Sequence, residues 1–356
     1  MRARPPRPRP AQRWRLAALA AGWLLGCGCA PSPEPAANAP TAAATRPTTQ
    51  PTTPPTASPP ADPVPSTAGH RVRALSITVL STTKAPRGTG EWGFAALVEA
   101  DGERILFDTG EKRRTVLSNA ELLGVDLRTV PTVVLSHHHD DHVGGLLTLR
   151  QAVIGDAPEA LSTVHVGRGM FEPRRFGAKA KEVNAMLGMR PTFEATGGRF
   201  VVHDGPAEIA PGVWVTGPVP RVHEERNWGT SRRLRTAHGW GEDTLPESQS
   251  LVFDTEQGLV VLSGCGHAGI VNIVTYARDA IRSAPLHAAV GGFHLHQASD
   301  DHLAWTGAQL QAVGLQHFEG AHCTGEPAVQ RFAELSTVAP DGSRELVVGD
   351  AFVLEH

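Results

Sequence analysis

The chain has 356 residues, with 33 lysines and arginines against 36 acidic residues and four cysteines. That length exceeds one small domain, and so few cysteines exclude a disulfide-built scaffold. Without the six arginines of residues 1–15, 27 basic residues face 36 acidic ones, a balance near −9 that argues against a nucleic-acid surface.

The first elements in the chain are export signals. Residues 1–15 are basic and free of acids, and Leu16–Leu25 (LAALAAGWLL) is an apolar run too short to span a bilayer. It ends in Leu24-Leu25-Gly26-Cys27, which resembles a bacterial lipobox and makes Cys27 the expected lipidation site. An ordinary signal cut near Cys29-Ala30 is the alternative. Residues 1–26 are therefore expected to be a lipoprotein-type signal peptide. Residues 27–69, rich in Pro, Thr and Ala, form an expected disordered tether, because nothing in them can bury a core. The chain would then be exported and held to a membrane through a lipid anchor. Gly28 after Cys27, where an Asp is absent, favours the outer membrane, facing the periplasm or the cell surface. No protein partner is evident.

Residues 70–356 carry the signals of one large catalytic domain. Alternating apolar positions predict a strand over 71–81, and a Gly-rich loop leads to strands at 94–99 and 104–107 joined by a turn at Asp101-Gly102. Asp108-Thr109-Gly110 ends that hairpin, and Asp108 reads either as a turn former or as a carboxylate orienting an imidazole at a metal. A helix is expected over 115–123, stopped by Gly124. Val133-Val134-Leu135 then reads as the end of a buried strand running into Ser136-His137-His138-His139-Asp140-Asp141-His142. In an extended segment His137, His139 and Asp141 share a face, with His142 following at the turn and His138 and Asp140 pointing elsewhere. Imidazole and carboxylate are the donors that zinc and similar divalent ions take. A helix follows at 146–154 and a short strand at 164–167, before an irregular region to about Val201 expected to be a lid or substrate-facing insert.

Downstream, a strand at 213–216 precedes a polar stretch containing Arg221, Arg232, Arg233 and Arg235, which would suit an anionic substrate. Strands at 249–254 and 258–262 form a second hairpin, ending in Gly264-Cys265-Gly266-His267. A helix at 270–283, a strand at 288–290 ending near His294, a helix at 301–313 and a strand at 315–319 ending near His322-Cys323 complete the pattern. Three late strands thus each deliver a histidine: His267 and His322 as expected metal ligands, His294 as a ligand or a hydrogen-bonding group for substrate. Cys265 and Cys323 can pair under oxidising conditions or take part in metal chemistry.

The His137-x-His139-x-Asp141-His142 spacing resembles the signature of the metallo-β-lactamase superfamily. The segments Glu91–Phe94, Ile105–Gly110, Gly217–Arg221, Gly264–Asn272, Gly291–Leu295 and His322–Gly325 resemble the branch named for dihydropterin-methyl-ribofuranosylaminobenzene phosphate synthase. The resemblance implies an α/β fold, an αββα sandwich of two mixed sheets flanked by helices. It implies His137 and His139 at a first metal, Asp141 and His142 at a second, and His267 and His322 completing the set. The expected cofactor is Zn2+, one or two ions, with Fe or Mn as alternatives. Trp92 stands where members of the branch often have histidine. The superfamily's bridging carboxylate has no counterpart, Cys265 or His267 lying nearest.

The implied activity is a metal-dependent hydrolase using a metal-activated water on a small-molecule substrate, with Asp141 and His142 as catalytic residues. A phosphoester, especially a phosphodiester, is the expected class. A β-lactam or lactone hydrolase, a pterin-related synthase and a non-enzymatic zinc-binding lipoprotein are the alternatives.

Overall fold

A computed structural model describes residues 69–355 apart from 178–180 and 230. The expected signal, Cys27 and all but the last residue of the tether lie outside the described residues. The first half of the domain contains β1 (Leu75–Ser81), β2 (Ala95–Ala100), β3 (Glu103–Phe107), α1 (Thr115–Leu123), β4 (Thr132–Val134), α2 (Asp140–Val143), α3 (Leu146–Val153) and β5 (Thr163–Gly167). Next come β6 (Arg174–Phe176), α4 (Ala185–Glu194), β7 (Arg199–His203), β8 (Ala207–Ala210), β9 (Val213–Val215), β10 (Arg232–Thr236) and β11 (Gly239–Glu242). The last part holds β12 (Leu251–Thr255), β13 (Gly258–Ser263), α5 (Ile270–Ala280), β14 (Leu286–Gly291), α6 (Asp300–Ala312), β15 (His317–Gly320), α7 (Glu326–Ala333), β16 (Ser343–Glu345) and β17 (Ala351–Leu354).

Two seven-stranded mixed sheets result, ordered β17-β1-β2-β3-β4-β5-β7 and β16-β15-β14-β13-β12-β9-β8. Strand alternation explains how they stack. In β2, Ala96, Val98 and Ala100 face the space between the sheets, where they meet Val260 and Leu262 of β13 and Phe253 of β12. Ala95 and Leu97 face the other way, into a core shared with Val116 and Ala120 of α1 and Leu146 and Leu149 of α3. On the second sheet, Leu259 and Val261 pack against Ile273 and Val274 of α5, Leu310 of α6 and Phe332 of α7. Both faces of each sheet are thus covered, which is why the central strands read as unbroken apolar runs. This is the expected αββα sandwich.

The hairpin between β2 and β3 turns on Asp101 (φ 48°) and Gly102 (φ 93°), two left-handed residues as a two-residue primed turn requires. The Gly/Pro-rich insert departs from expectation. Where an irregular stretch to about Val201 was predicted, the chain forms β6, α4 and β7, and the polar stretch beyond Arg221 forms β10 and β11. β6, β10 and β11 pair into a separate three-stranded sheet. Short Arg-rich strands carry little period-2 apolar signal, and Gly188 and Pro191 inside α4 obscure its helical pattern.

The direction of the strands fixes the location of the chemistry. β3, β4 and β5 run parallel in one sheet, and β13, β14 and β15 run parallel in the other. The loops leaving the carboxyl ends of these strands carry Asp108, His137–His142, Cys265, His267, His294 and His322, and their side chains gather at one edge of the sandwich.

Candidate metal centre

Buried Val133, Val134 and Leu135 bring the chain to this edge, and the backbone remains extended through His139 (φ −64°, ψ 145°). His137 and His139 therefore share a face, and with His267 their donor atoms lie within 4.8 Å of one another. Alternation stops there. α2 begins at Asp140, so Asp141 does not continue the row of His137 and His139. It joins His142, Cys265 and His322 in a second group whose donor atoms also lie within 4.8 Å of one another. Asp141 Oδ2 is 3.6 Å from His142 Nε2 and 3.4 Å from His322 Nε2, and Cys265 Sγ is 3.1 Å from His142 Nε2. Cys265, His267 and His294 form a third, overlapping set.

Three of the imidazoles have one ring nitrogen fixed by the protein. His137 Nδ1 meets Ser136 Oγ at 2.9 Å, His142 Nδ1 meets Asp108 Oδ2 at 2.7 Å, and His267 Nδ1 is held by the Asn227 carbonyl. Nε2 of His137, His139 and His267 is buried with no hydrogen-bond partner, and so is Nε2 of His322, whose nearest acceptor is Asp141 Oδ2. A buried polar atom without a partner costs free energy. Four of them aimed at two small spaces fit one or two divalent cations held by nitrogen, oxygen and sulfur donors.

The electrostatics agree with neutral ligands at the first group. Burial, then neighbouring imidazoles, hold His137 and His139 well below the usual imidazole range, and His267 at about 3. Burial alone would raise Asp141, but His142 and His322 hold it well below the usual carboxylate range.

Asp108 organises this wall. Its Oδ1 accepts from Ser136 N at 2.7 Å, and its Oδ2 accepts from Ser136 Oγ at 2.7 Å as well as meeting His142. The turn-former reading therefore gives way to the imidazole-orienting one, since both carboxylate oxygens bind the ligand loop. Asp108, His294 and His322 all adopt positive φ (57°, 51° and 51°), a conformation non-glycine residues seldom take and one that concentrates at functional sites. Two glycines matter through close approach. A Cβ at Gly264 would collide with Asp108 Oδ2 and Ser136 Oγ, and one at Gly144 would strike the Glu111 carbonyl. Asp108→Asn is expected to weaken metal binding at the second group by about 10- to 100-fold, because His142 loses the acceptor that fixes its tautomer. Chelator competition measures this, and unchanged affinity would refute Asp108's orienting role.

His138 points away from the donor groups, as expected, and is buried there with Nδ1 2.6 Å from Glu247 Oε1. Glu247 is in turn bound by Arg174 Nη2 at 2.6 Å, and Arg174 Nε reaches Asp243 Oδ2 at 3.0 Å. Burial would raise Glu247, but Arg174 and His138 hold it down at about 2. This chain of charges fastens the three-stranded sheet to the ligand loop.

Arg221 supports a ligand loop. Its guanidinium donates to the carbonyls of Thr244 and Leu245, at 2.5 and 3.3 Å, and of His267 at 3.4 Å, with its carbon 5.1 Å from the Trp228 ring. It braces the loop of a ligand, leaving fewer donors for an anion. Arg233 and Arg235 bind Trp240 on the far face of β10. Arg232 alone of that run faces a cleft of about 450 Å³ lined also by Asp140, Phe176, Lys181, Glu182 and Val183. Its charge interacts with Asp140 and Asp141, which places the cleft beside the metal-ligand loop.

Sequence reasoning missed Glu91. Its Oε1 accepts from Ser81 Oγ and Glu111 N, and its Oε2 from Lys112 N, fixing the loop that carries Trp92. Trp92 is 48% exposed, with its ring 5.0 Å from that of His322 and 5.7 Å from that of His296. The Asn227 carbonyl on His267 was missed too, since any residue type can supply a carbonyl.

The metallo-beta-lactamase superfamily profile matches residues 89–279, more than half of the chain, and the chain belongs to that superfamily. Among its relatives is a Methanocaldococcus jannaschii protein named 7,8-dihydropterin-6-methyl-4-(beta-D-ribofuranosyl)-aminobenzene-5'-phosphate synthase. The two are 29% identical over 247 residues, covering 68% of this chain and 83% of the relative. A hydroxyacylglutathione hydrolase from Xanthomonas axonopodis pv. citri is 44% identical over 82 residues, 21% of this chain and 30% of that protein. The solved structure of Tm1679, described as a metal-dependent hydrolase of the beta-lactamase superfamily, superposes with a TM-score of 0.64 at 27% identity. It covers 79% of this chain and 100% of its own.

Proposed function

We propose that this protein is a metal-dependent hydrolase acting on a small anionic substrate, a phosphoester and in particular a phosphodiester. The observation that carries the reading is the pair of adjoining donor groups, His137/His139/His267 and Asp141/His142/Cys265/His322, whose unpartnered nitrogens converge at one sheet edge. The superfamily's bridging carboxylate has no counterpart here, and Cys265 would serve as a donor in the second group. Zn2+ is the favoured occupant on the mixed nitrogen, oxygen and sulfur donors, with Fe or Mn as alternatives. Divalent cations held this way supply Lewis acidity and lower the pKa of a coordinated water to about 7.

The chain's own groups supply the remainder. Asp108 meets His142, and Asp141 lies between His142 and His322, so the two carboxylates fix the second group's geometry. His294 presents a buried Nδ1 without a protein partner beside His267, where it can hold or deliver a proton at a leaving oxygen. Arg232 and Lys181 line the adjoining cleft and favour an anionic group there, with Asp140 and Glu182 limiting how much negative charge it accepts. Delivery of this domain to a membrane through Cys27 is part of the same proposal.

The test is a panel of bis-aryl phosphate, lactone and β-lactam substrates, run on purified protein with metal content measured alongside. Phosphodiester turnover that rises and falls with bound metal supports the reading. Lactone or lactam turnover without phosphodiester turnover would replace it. The name of the Methanocaldococcus relative makes a pterin-related synthase the second reading, and phosphate-ester product formation from a pterin and an aminobenzene donor would select it.

A further inference from the structure

Cys265 and Cys323 leave the carboxyl ends of β13 and β15 and meet behind the second donor group. Both are free and buried, with their sulfurs 3.4 Å apart. Only one of them belongs to a donor group. Cys265 Sγ is 3.1 Å from His142 Nε2, whereas Cys323 Sγ accepts from the His294 backbone N–H at 3.2 Å and belongs to none of the donor groups. Cys323 therefore has a sulfur within reach of a ligand and no ligating duty of its own.

We propose that Cys265 and Cys323 are a redox modification site, and that forming their disulfide withdraws a donor from the second metal position while sparing the first. The inference rests on the metal-centre reading above. The sulfurs must close by about 1.4 Å to reach disulfide length, a shift that side-chain rotation at the two strand ends can supply.

A peroxide is the oxidant of suitable size for so enclosed a pair. One thiolate attacks the peroxide O–O bond, giving a sulfenic acid and one water. The second thiol then attacks that sulfur, forming the S–S bond and releasing a second water. Two sulfurs lose one electron each, both peroxide oxygens are reduced, and the two thiol protons end in the waters. A disulfide sulfur carries no negative charge, so the second group falls to Asp141, His142 and His322. His137, His139 and His267 contain no sulfur and keep their full set. Linkage makes the effect reciprocal: an ion held by Cys265 shields it from oxidation.

The experiment treats purified full-length protein, loaded with Zn2+, with hydrogen peroxide and then with a dithiol reductant. Intact mass and bound zinc are read at each stage. The expected result is the loss of two hydrogens, a fall in bound zinc to about half, and recovery of both on reduction. Metal-free protein is expected to oxidise faster than loaded protein. Cys323→Ser is expected to keep its zinc and to gain oxygen in place of an internal disulfide. A disulfide that leaves bound zinc unchanged overturns the proposal, as does oxygen addition to the parent protein without a disulfide. Reduced protein that binds no zinc overturns the metal-centre reading itself, and the mass measurement still shows whether the pair forms.

Discussion

A His139→Ala protein is expected to lose the ion at the first position and to fall in turnover on the order of a thousandfold or more. His139 gives that position one of only three donors, and its Nε2 has no other partner among the described residues. Lewis-acid stabilisation is worth several kcal/mol, and each 1.4 kcal/mol is about tenfold in rate. Apart from the stabilisation that a bound ion would give, stability should change little, because His139 lies on a loop and anchors no apolar core. Asp141→Ala is expected to give the matching loss at the second position. Bound metal per chain and phosphodiester turnover are the measurements. A His139→Ala protein that turns over like its parent would remove the first donor group from the catalytic picture.

Arg174→Met is expected to destabilise the domain by about 3–5 kcal/mol. Arg174 is fully buried and satisfies Asp243, Glu247 and the carbonyls of Gly169 and Glu172. Methionine fills the space but leaves two buried carboxylates without their cation, and breaking a buried pair from one side costs about this much. Glu247 is held at about 2 in the folded protein against an ordinary value near 4.5. Its ionised form therefore adds stability above that ordinary value, and the contribution disappears as pH falls toward the folded value. With Arg174 gone, much of that contribution should go as well. Denaturant midpoints at neutral pH measure the loss, and a change below about 1 kcal/mol would show that water or a rearranged side chain satisfies the carboxylates.

The order of strands and helices is legible because the central strands are buried on both faces and bounded by glycines, whereas the sandwich itself is implied only by the family resemblance of the His137–His142 spacing. Helix α1 was expected over its observed range because Gly124 stops it in a left-handed cap. The donor residues were legible for a related reason: each sits where an apolar strand gives way to glycine, as at Gly264-Cys265-Gly266-His267. What stayed hidden depends on distance along the chain. Arg174 meets Asp243 and Glu247 across 69 and 73 residues, with no periodic pattern linking them. Alternation turns His138 away from the metal-ligand face, but it gives only side-chain direction and does not show that Glu247 lies there. Asp141 was grouped by a strand rule that ended two residues before it, where α2 begins.

The donors come from opposite halves of the sandwich. His137, His139, Asp141 and His142 follow β4 of one sheet, whereas Cys265, His267 and His322 follow β13 and β15 of the other. Bound ions would thus act as a clasp, closing loops of more than a hundred residues that the apolar core alone leaves open at this rim. Closing such long loops carries a large entropic cost that ion binding offsets. Metal occupancy would then report that both halves have folded and met, and a chain halted before β13 would hold only part of either donor set. Ion binding and the joining of the two halves would then be one event at that rim.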